Sequence, residues 1–144
     1  MMRIAPAQPR DEPAIKRLLQ SCELPTADIT ANSLEHFLVL REGDQLVGVV
    51  GLDVDGEVAL LRSLAVEPAA RKRGIGNELV AAAEALASQR RIRSIYLLTT
   101  GAELFFVGRG YRRMPREQAP AAVTSMPQFK SLCPASATLM VKSP

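Results

Sequence analysis

Three apolar segments follow one another between Phe37 and Val66 with only short turns to separate them. Phe37-Leu38-Val39-Leu40 gives way to Glu42-Gly43-Asp44, and Leu46 to Val54 gives way to Asp55-Gly56. Val58 to Val66 closes the run. Asp-Gly between two such segments is a two-residue hairpin signal, because both central positions of the favoured turn need positive φ. Spacers this short cannot hold a helical crossover, so the three strands must form an antiparallel meander. An alternating βαβ series is excluded over this stretch.

The flanking pattern is mixed. Arg3 to Ala5 reads as a short first strand, and Asp11 to Cys22 as a helix with Ala14, Ile15, Leu18, Leu19 and Cys22 on one face. Pro25-Thr26-Ala27-Asp28 breaks that helix, with Thr26 placed to cap a short helical turn. After Pro68 the strongest helix runs from Arg71 to Arg90, with Ile75, Leu79, Ala82, Ala83 and Leu86 as its apolar stripe. A buried strand is expected at Ile95 to Leu98. A short helix at Ala102 to Arg109 then ends at Gly110, and a helix near Ala121 to Ser125 precedes a last strand at Ala137 to Val141. No repeat or linker interrupts the chain, so residues 1–144 read as one α+β domain.

Composition narrows the chemistry. A single histidine, His36, gives no partner set for a zinc site or a Ser-His-Asp triad, so no metal is expected. Cys22 and Cys133 are too few for a disulfide framework; a thiol such as Cys133 in a small-residue strand reads as packing rather than ligation. The longest apolar stretch, Leu46 to Leu52, falls far short of the roughly 18 residues of a membrane span. The opening MMRIAPAQPR has no apolar core like that of a signal peptide. A cytoplasmic protein without a membrane partner is therefore expected. Net charge is only +3 and tryptophan is absent, which speaks against nucleic acid as a partner. The basic residues nevertheless cluster, above all at Arg71-Lys72-Arg73, and that pattern suits a local phosphate group.

That cluster sits in the most informative segment, Leu64-Ala65-Val66-Glu67-Pro68-Ala69-Ala70-Arg71-Lys72-Arg73-Gly74-Ile75-Gly76-Asn77. A strand enters a basic loop with two glycines, and the loop opens an amphipathic helix. The first N–H groups of a helix lack internal partners and carry partial positive charge, and glycines let an anion approach the backbone closely. The dinucleotide fingerprint fails, because Leu79 stands at the third glycine position. The P-loop fails for want of its lysine motif.

What remains resembles the acetyl-CoA motif of the GCN5-related N-acetyltransferases (GNAT), (Q/R)-x-x-G-x-G/A after a strand ending in Ala-Val and an acidic-Pro pair. Thr99 to Tyr111 resembles the same family's later motif, with Ala102, Phe105, Gly110 and Tyr111 in register. The resemblance covers Arg3 to Val141. It implies a mixed central sheet of about six to seven strands, splayed to admit the cofactor and flanked by about four helices. Backbone groups of Leu64, Ala65 and Val66 would then meet the pantetheine of acetyl-CoA. Arg71, Lys72, Arg73, Gly74, Ile75, Gly76 and Asn77 would hold the pyrophosphate, and acetyl would pass directly from sulfur to an amine. Leu61 to Val66, Leu97 to Thr100 and the tail Phe129 to Ala137 further resemble the arsenic-resistance-associated N-acetyltransferases. The Thr-Thr element also resembles the acetyltransferase half of N-acetylglutamate synthases. These likenesses imply a small amino-acid-like or arsenical acceptor, and any self-association would be as a homodimer.

Several positions depart from the family's pattern. Phe106 stands where many relatives carry the tyrosine that protonates the departing thiolate, so it can only pack beside the cofactor. With a thiol pKa near ~8.5 the sulfur can leave as thiolate or take a proton from water. Tyr111 fits a core position and Tyr96 a buried strand. Thr99, where relatives often have asparagine, offers a hydroxyl that could orient a water. Strand alternation groups Leu60, Arg62 and Leu64 on one face. There Arg62 is either a clamp for an acceptor's oxyanion or a structural partner of Glu57 or Glu67. Asp28 joins it as a substrate-binding and catalytic candidate, and Glu23, His36 or water are the other sources of a base. An acetyl-CoA-dependent transferase and a CoA-binding module without turnover both remain open.

Overall fold

The structure, a computed structural model, describes residues 2–132 and 134–144. Cys133 lies outside the described residues. Seven strands form one sheet: β1 (Met2–Pro6), β2 (Phe37–Glu42), β3 (Gln45–Asp55), β4 (Val58–Val66), β5 (Ser94–Thr99), β6 (Arg112–Arg113) and β7 (Thr138–Lys142). Their order is β1-β2-β3-β4-β5-β7-β6. Every pairing is antiparallel except β4 with β5. The helices are α1 (Glu12–Ser21), α2 (Ile75–Gln89), α3 (Glu103–Gly108) and α4 (Ala121–Thr124). The meander is antiparallel as expected, but Asp55 pairs with Val58, so the β3–β4 turn is Gly56 (φ 62) and Glu57, one residue later than the Asp55-Gly56 pair the sequence suggests.

Both sheet faces are covered. One is packed by α2 through Ile75, Leu79, Val80, Ala83 and Ala87, against Leu38, Leu40, Val50, Leu52, Ala59 and Leu61, with Phe106 and Tyr111 in the same cluster. On the other face α1 brings Ile15, Leu18 and Leu19 together with Ile29, Leu34 and Phe37. Val123 and Met126 cover Leu60, Tyr96 and Leu139 further along.

Two helix starts differ from the periodicity. α2 begins at Ile75 rather than Arg71, because Lys72 (φ 68) and Gly74 (φ 76) are left-handed and no helix passes through such residues. α3 likewise starts at Glu103. Thr26 caps no helix: Ile29 N–H donates to the Thr26 carbonyl in a single turn, and the short 3-10 helix comes later, at Ala31–His36.

β4 does not keep its alternation. Asp53 faces Leu60 and Gly51 faces Arg62, but Val49 then faces Ala65, so β4 carries one extra residue. Ser63 sits there at φ 57. A bulge of this kind exchanges the faces beyond it. Leu64 and Val66 therefore join Ala59 and Leu61 on the α2 side, and Leu64 does not share a face with Leu60 and Arg62.

Candidate active site

The parallel ladder between β4 and β5 is short. It pairs Val58 with Ser94 through Leu61 with Leu97, and both strands run on beyond it. Past that point they separate, and two cavities open between them. One, of about 900 Å³, is lined by Leu64, Ala65 and Val66 of β4, by Arg71, Lys72, Gly74, Ile75, Gly76 and Asn77, and by Glu103, Leu104 and Phe105 of α3. The other, of about 520 Å³, is lined by Glu23, Leu24 and Pro25, by Leu60 to Leu64, by Leu97 and Leu98, and by Phe106, Gln128, Pro134 and Ala137. They share Leu24, Leu64 and Thr99 to Ala102, where one opens into the other.

The larger cavity ends at the start of α2. The first helical bond runs from Glu78 N–H to the Gly74 carbonyl (3.1 Å), so the N–H groups of Ile75, Gly76 and Asn77 have no helical acceptor. A Cβ built on Gly74 would meet nothing within 4 Å, so the approach to these amides is open. The sequence places the whole basic triplet here, but the structure separates it. Lys72 lines the cavity. Arg71 folds over the rim, its Nε donating to the Val66 carbonyl (3.1 Å) and its Nη2 to Cys22 Sγ (3.3 Å). Arg73 turns away to pair with Glu42 at 2.8 Å and is not on the cavity wall. That strand-end acid competes for the guanidinium more closely than the slot does.

Among the described residues Arg62 is the one cation on the wall of the smaller cavity, and its side chain is only 3% exposed. It is no open clamp. Its Nη1 and Nη2 donate to the two oxygens of Asp28, the second at 2.8 Å, and Nη1 also reaches Asp53 Oδ2 at 3.1 Å. Ser63 Oγ accepts from Nε at 3.0 Å, and the Phe37 ring centroid lies 5.7 Å from the guanidinium carbon. The partners are Asp28 and Asp53, whereas Glu57 pairs with Arg93 and Glu67 with Gln45. The two acids differ. Burial raises Asp28, but the Arg62 hydrogen bonds and charge overcome it and hold the carboxyl below the usual range. For Asp53 burial wins, and its carboxyl is pushed up despite Arg62. Asp28 thus faces Arg62, and it is absent from either cavity wall.

Phe106 is buried on the smaller cavity, edge-on to Phe105 (5.0 Å) and Tyr111 (5.5 Å). It is Phe105, matched to the family's later motif but not assigned to the cofactor, that lines the larger one. Thr99 lies at the junction, where its Oγ1 accepts the Ala102 N–H at 3.0 Å in the turn ahead of α3. Tyr111 is spoken for: its hydroxyl donates to Glu84 at 3.0 Å, and burial beside that acid pushes the phenol far up. His36 is on neither wall.

Comparison with known proteins follows the same lines. The sequence model of the acetyltransferase (GNAT) family matches residues 5–113. Among curated proteins, an amino-acid acetyltransferase from Ectopseudomonas mendocina is 28% identical over 105 residues, 72% of this chain and 24% of that protein. One from Pseudomonas putida is 29% identical over the same shares. The chain thus spans about a quarter of the length of these relatives. Among solved structures, an N-acetylglutamate synthase from Neisseria gonorrhoeae, complexed with coenzyme A and N-acetyl-glutamate, superposes with a TM-score of 0.87. It is 21% identical, over 99% of this chain and 35% of that one. A Mycobacterium tuberculosis protein, Rv2747, in complex with CoA and NLQ, reaches 0.82 at 21% identity over 99% of both chains. At such identities the likeness is one of fold: an open seven-stranded mixed sheet with flanking helices.

Proposed function

Since the chain belongs to the acetyltransferase (GNAT) family, we propose that it is a cytoplasmic single-domain enzyme, spanning residues 1–144, that moves the acetyl group of acetyl-CoA to the amine of a small, amino-acid-like acceptor. The observation that carries this reading is the pair of cavities meeting at Leu64 and Thr99 between the separated ends of β4 and β5. Acetyl-CoA in the larger cavity would supply a thioester at that junction. The free amides of Ile75, Gly76 and Asn77, with Lys72 beside them, suit a pyrophosphate. Leu64 and Ala65, beyond the end of the β5 ladder, offer a strand edge to the pantetheine, with Val66 beside them holding Arg71 through its carbonyl, and Phe105 and Leu104 offer an apolar wall.

The smaller cavity would take the acceptor. The names of the curated relatives support an amino acid there. Arg62 enters this reading as a neutralised cation that shapes the floor of the cavity, with Asp28 in the place an acceptor's carboxylate would need. The resemblance of Leu61 to Val66 to arsenic-resistance-associated transferases makes an arsenical amino acid the variant acceptor to set beside the ordinary ones. Phe106, which has no proton to give the leaving sulfur, supports the rival reading of a CoA-binding module without turnover.

Thiol release from acetyl-CoA, measured with the L-amino acids, simple amines and an arsenical amino acid, decides between them. Turnover with an amino acid is the expected result. Calorimetric CoA binding without any turnover would leave the module reading, and absence of CoA binding would sink both.

A further inference from the structure

We propose that Glu23 accepts the proton of the attacking amine, a role that rests on the acetyl-transfer reading above. Four other groups come into question around the smaller cavity, and the geometry removes each. Both oxygens of Asp28 are taken by Arg62. Asp53 pairs with the same guanidinium, and neither it nor His36 is on the cavity wall. Thr99 Oγ1 is engaged by the Ala102 N–H. Glu23 is on the wall, next to Leu24, which lines both cavities, and among the described residues its carboxylate is unpaired.

The backbone adds an independent observation. Glu23 N–H donates to the Gln20 carbonyl (3.1 Å) and Leu24 N–H to the Leu19 carbonyl (2.9 Å), the two bonds that close a helix through a left-handed residue. That residue is ordinarily glycine, yet here Glu23 stands at φ 59. Leu24 packs back into the α1 cluster, so the strained residue is held firmly. The same closure ends α2 at Arg91 (φ 61), away from both cavities, so the left-handed cap alone assigns no role. At Glu23 it stands on a cavity wall and fixes where an unpaired carboxylate leaves the chain.

The step balances as follows. The acceptor arrives as the neutral amine, and its lone pair forms the C–N bond while the C–S bond breaks and sulfur departs as thiolate with the bonding pair. The proton shed by nitrogen passes to the Glu23 carboxylate. Glu23 is exposed and returns it to solvent.

The test compares the wild-type protein with Glu23→Gln and Glu23→Gly, using the amino acid turned over fastest in the panel above. Glu23→Gln should lower kcat about 100-fold, with CoA affinity unchanged. Glu23→Gly should lose as much activity while its Tm rises, because the left-handed position is relieved. A kcat within about threefold of wild type, or a loss confined to KM, overturns the assignment while leaving acetyl transfer intact. A fully active Glu23→Gly does the same. A wild-type protein that binds acetyl-CoA but turns over no acceptor overturns the transfer reading and this assignment together.

Discussion

At Arg62 two carboxylates share one guanidinium, and they hold it unequally. Asp28 takes two of its donors and keeps its charge easily, while Asp53 takes one and resists ionisation. Removing Asp28 leaves a cation whose side chain is almost wholly buried with a single carboxylate contact, that to Asp53. Asp28→Ala should therefore cost about 3 kcal/mol. Asp53→Asn keeps an acceptor oxygen and drops a charge the fold disfavours, so it should change stability by less than about 1 kcal/mol. Urea unfolding of the two variants checks the contrast, and equal losses would refute it. The Asp53 contact was not legible in the sequence. Asp55-Gly56 taken as the two central turn residues would set Asp53 opposite Val58. The turn is instead Gly56-Glu57, which sets Asp53 opposite Leu60 and diagonally beside Arg62, and reasoning stopped at the nearer acids Glu57 and Glu67. Asp28 was named, though as a ligand of substrate rather than of Arg62. Its partner is 34 residues away in the chain, and no local pattern encodes that pairing.

Elements were more legible than their irregularities. Each strand of the meander lies where its apolar run and turns put it, and Val58–Val66 matches to the residue. The bulge at Ser63 left no trace, because serine carries no preference for positive φ that would announce it. With it went the face of Leu64, and therefore the shape of the cleft. The row Phe37–Gly51–Arg62 across β2, β3 and β4 shows another irregularity with a use. A Cβ on Gly51 would stand 2.5 Å from the Phe37 ring, so the missing side chain is what lets that ring lie flat beside Arg62. Gly51→Ala must displace a fully buried aromatic, and a loss of about 1–3 kcal/mol is expected in urea unfolding. A neutral Gly51→Ala would mean that the ring can move freely.

Across the whole molecule, acid should be the weak side. Glu84 ties α2 to α3 and β7: Arg109 Nη2 (2.8 Å), Lys142 Nζ (3.1 Å) and the Tyr111 hydroxyl all donate to it. Burial opposes its charge, but these donors prevail and hold its carboxyl below the ordinary 4.5. Asp28 and Asp11 are lowered in the same sense, against burial, by Arg62 for the first and by the Gln8 N–H and Arg41 for the second. A carboxyl lowered on folding binds its proton more readily when unfolded. The stability it contributes is complete above its unfolded value and drains away as pH falls through the folded one. Asp53, being raised, works in the opposite direction and softens the slope. The urea midpoint should hold steady near neutrality and drop below about pH 4.5. Glu84→Gln should be less stable at neutral pH and show a shallower decline. An unchanged decline would assign acid sensitivity elsewhere.

The two cavities are built from different kinds of chain. The donor side takes much of its wall from the end of β4, the start of α2 and α3, elements packed into the main core. The acceptor side takes much of its wall from the connection holding Glu23, Leu24 and Pro25 and from the stretch holding Gln128, Pro134 and Ala137, neither of them a strand. Connections accept insertion and exchange far more readily than the elements they join. A lineage built on this scaffold can rewrite those two passages and reach new acceptors while its hold on the common donor is inherited unedited.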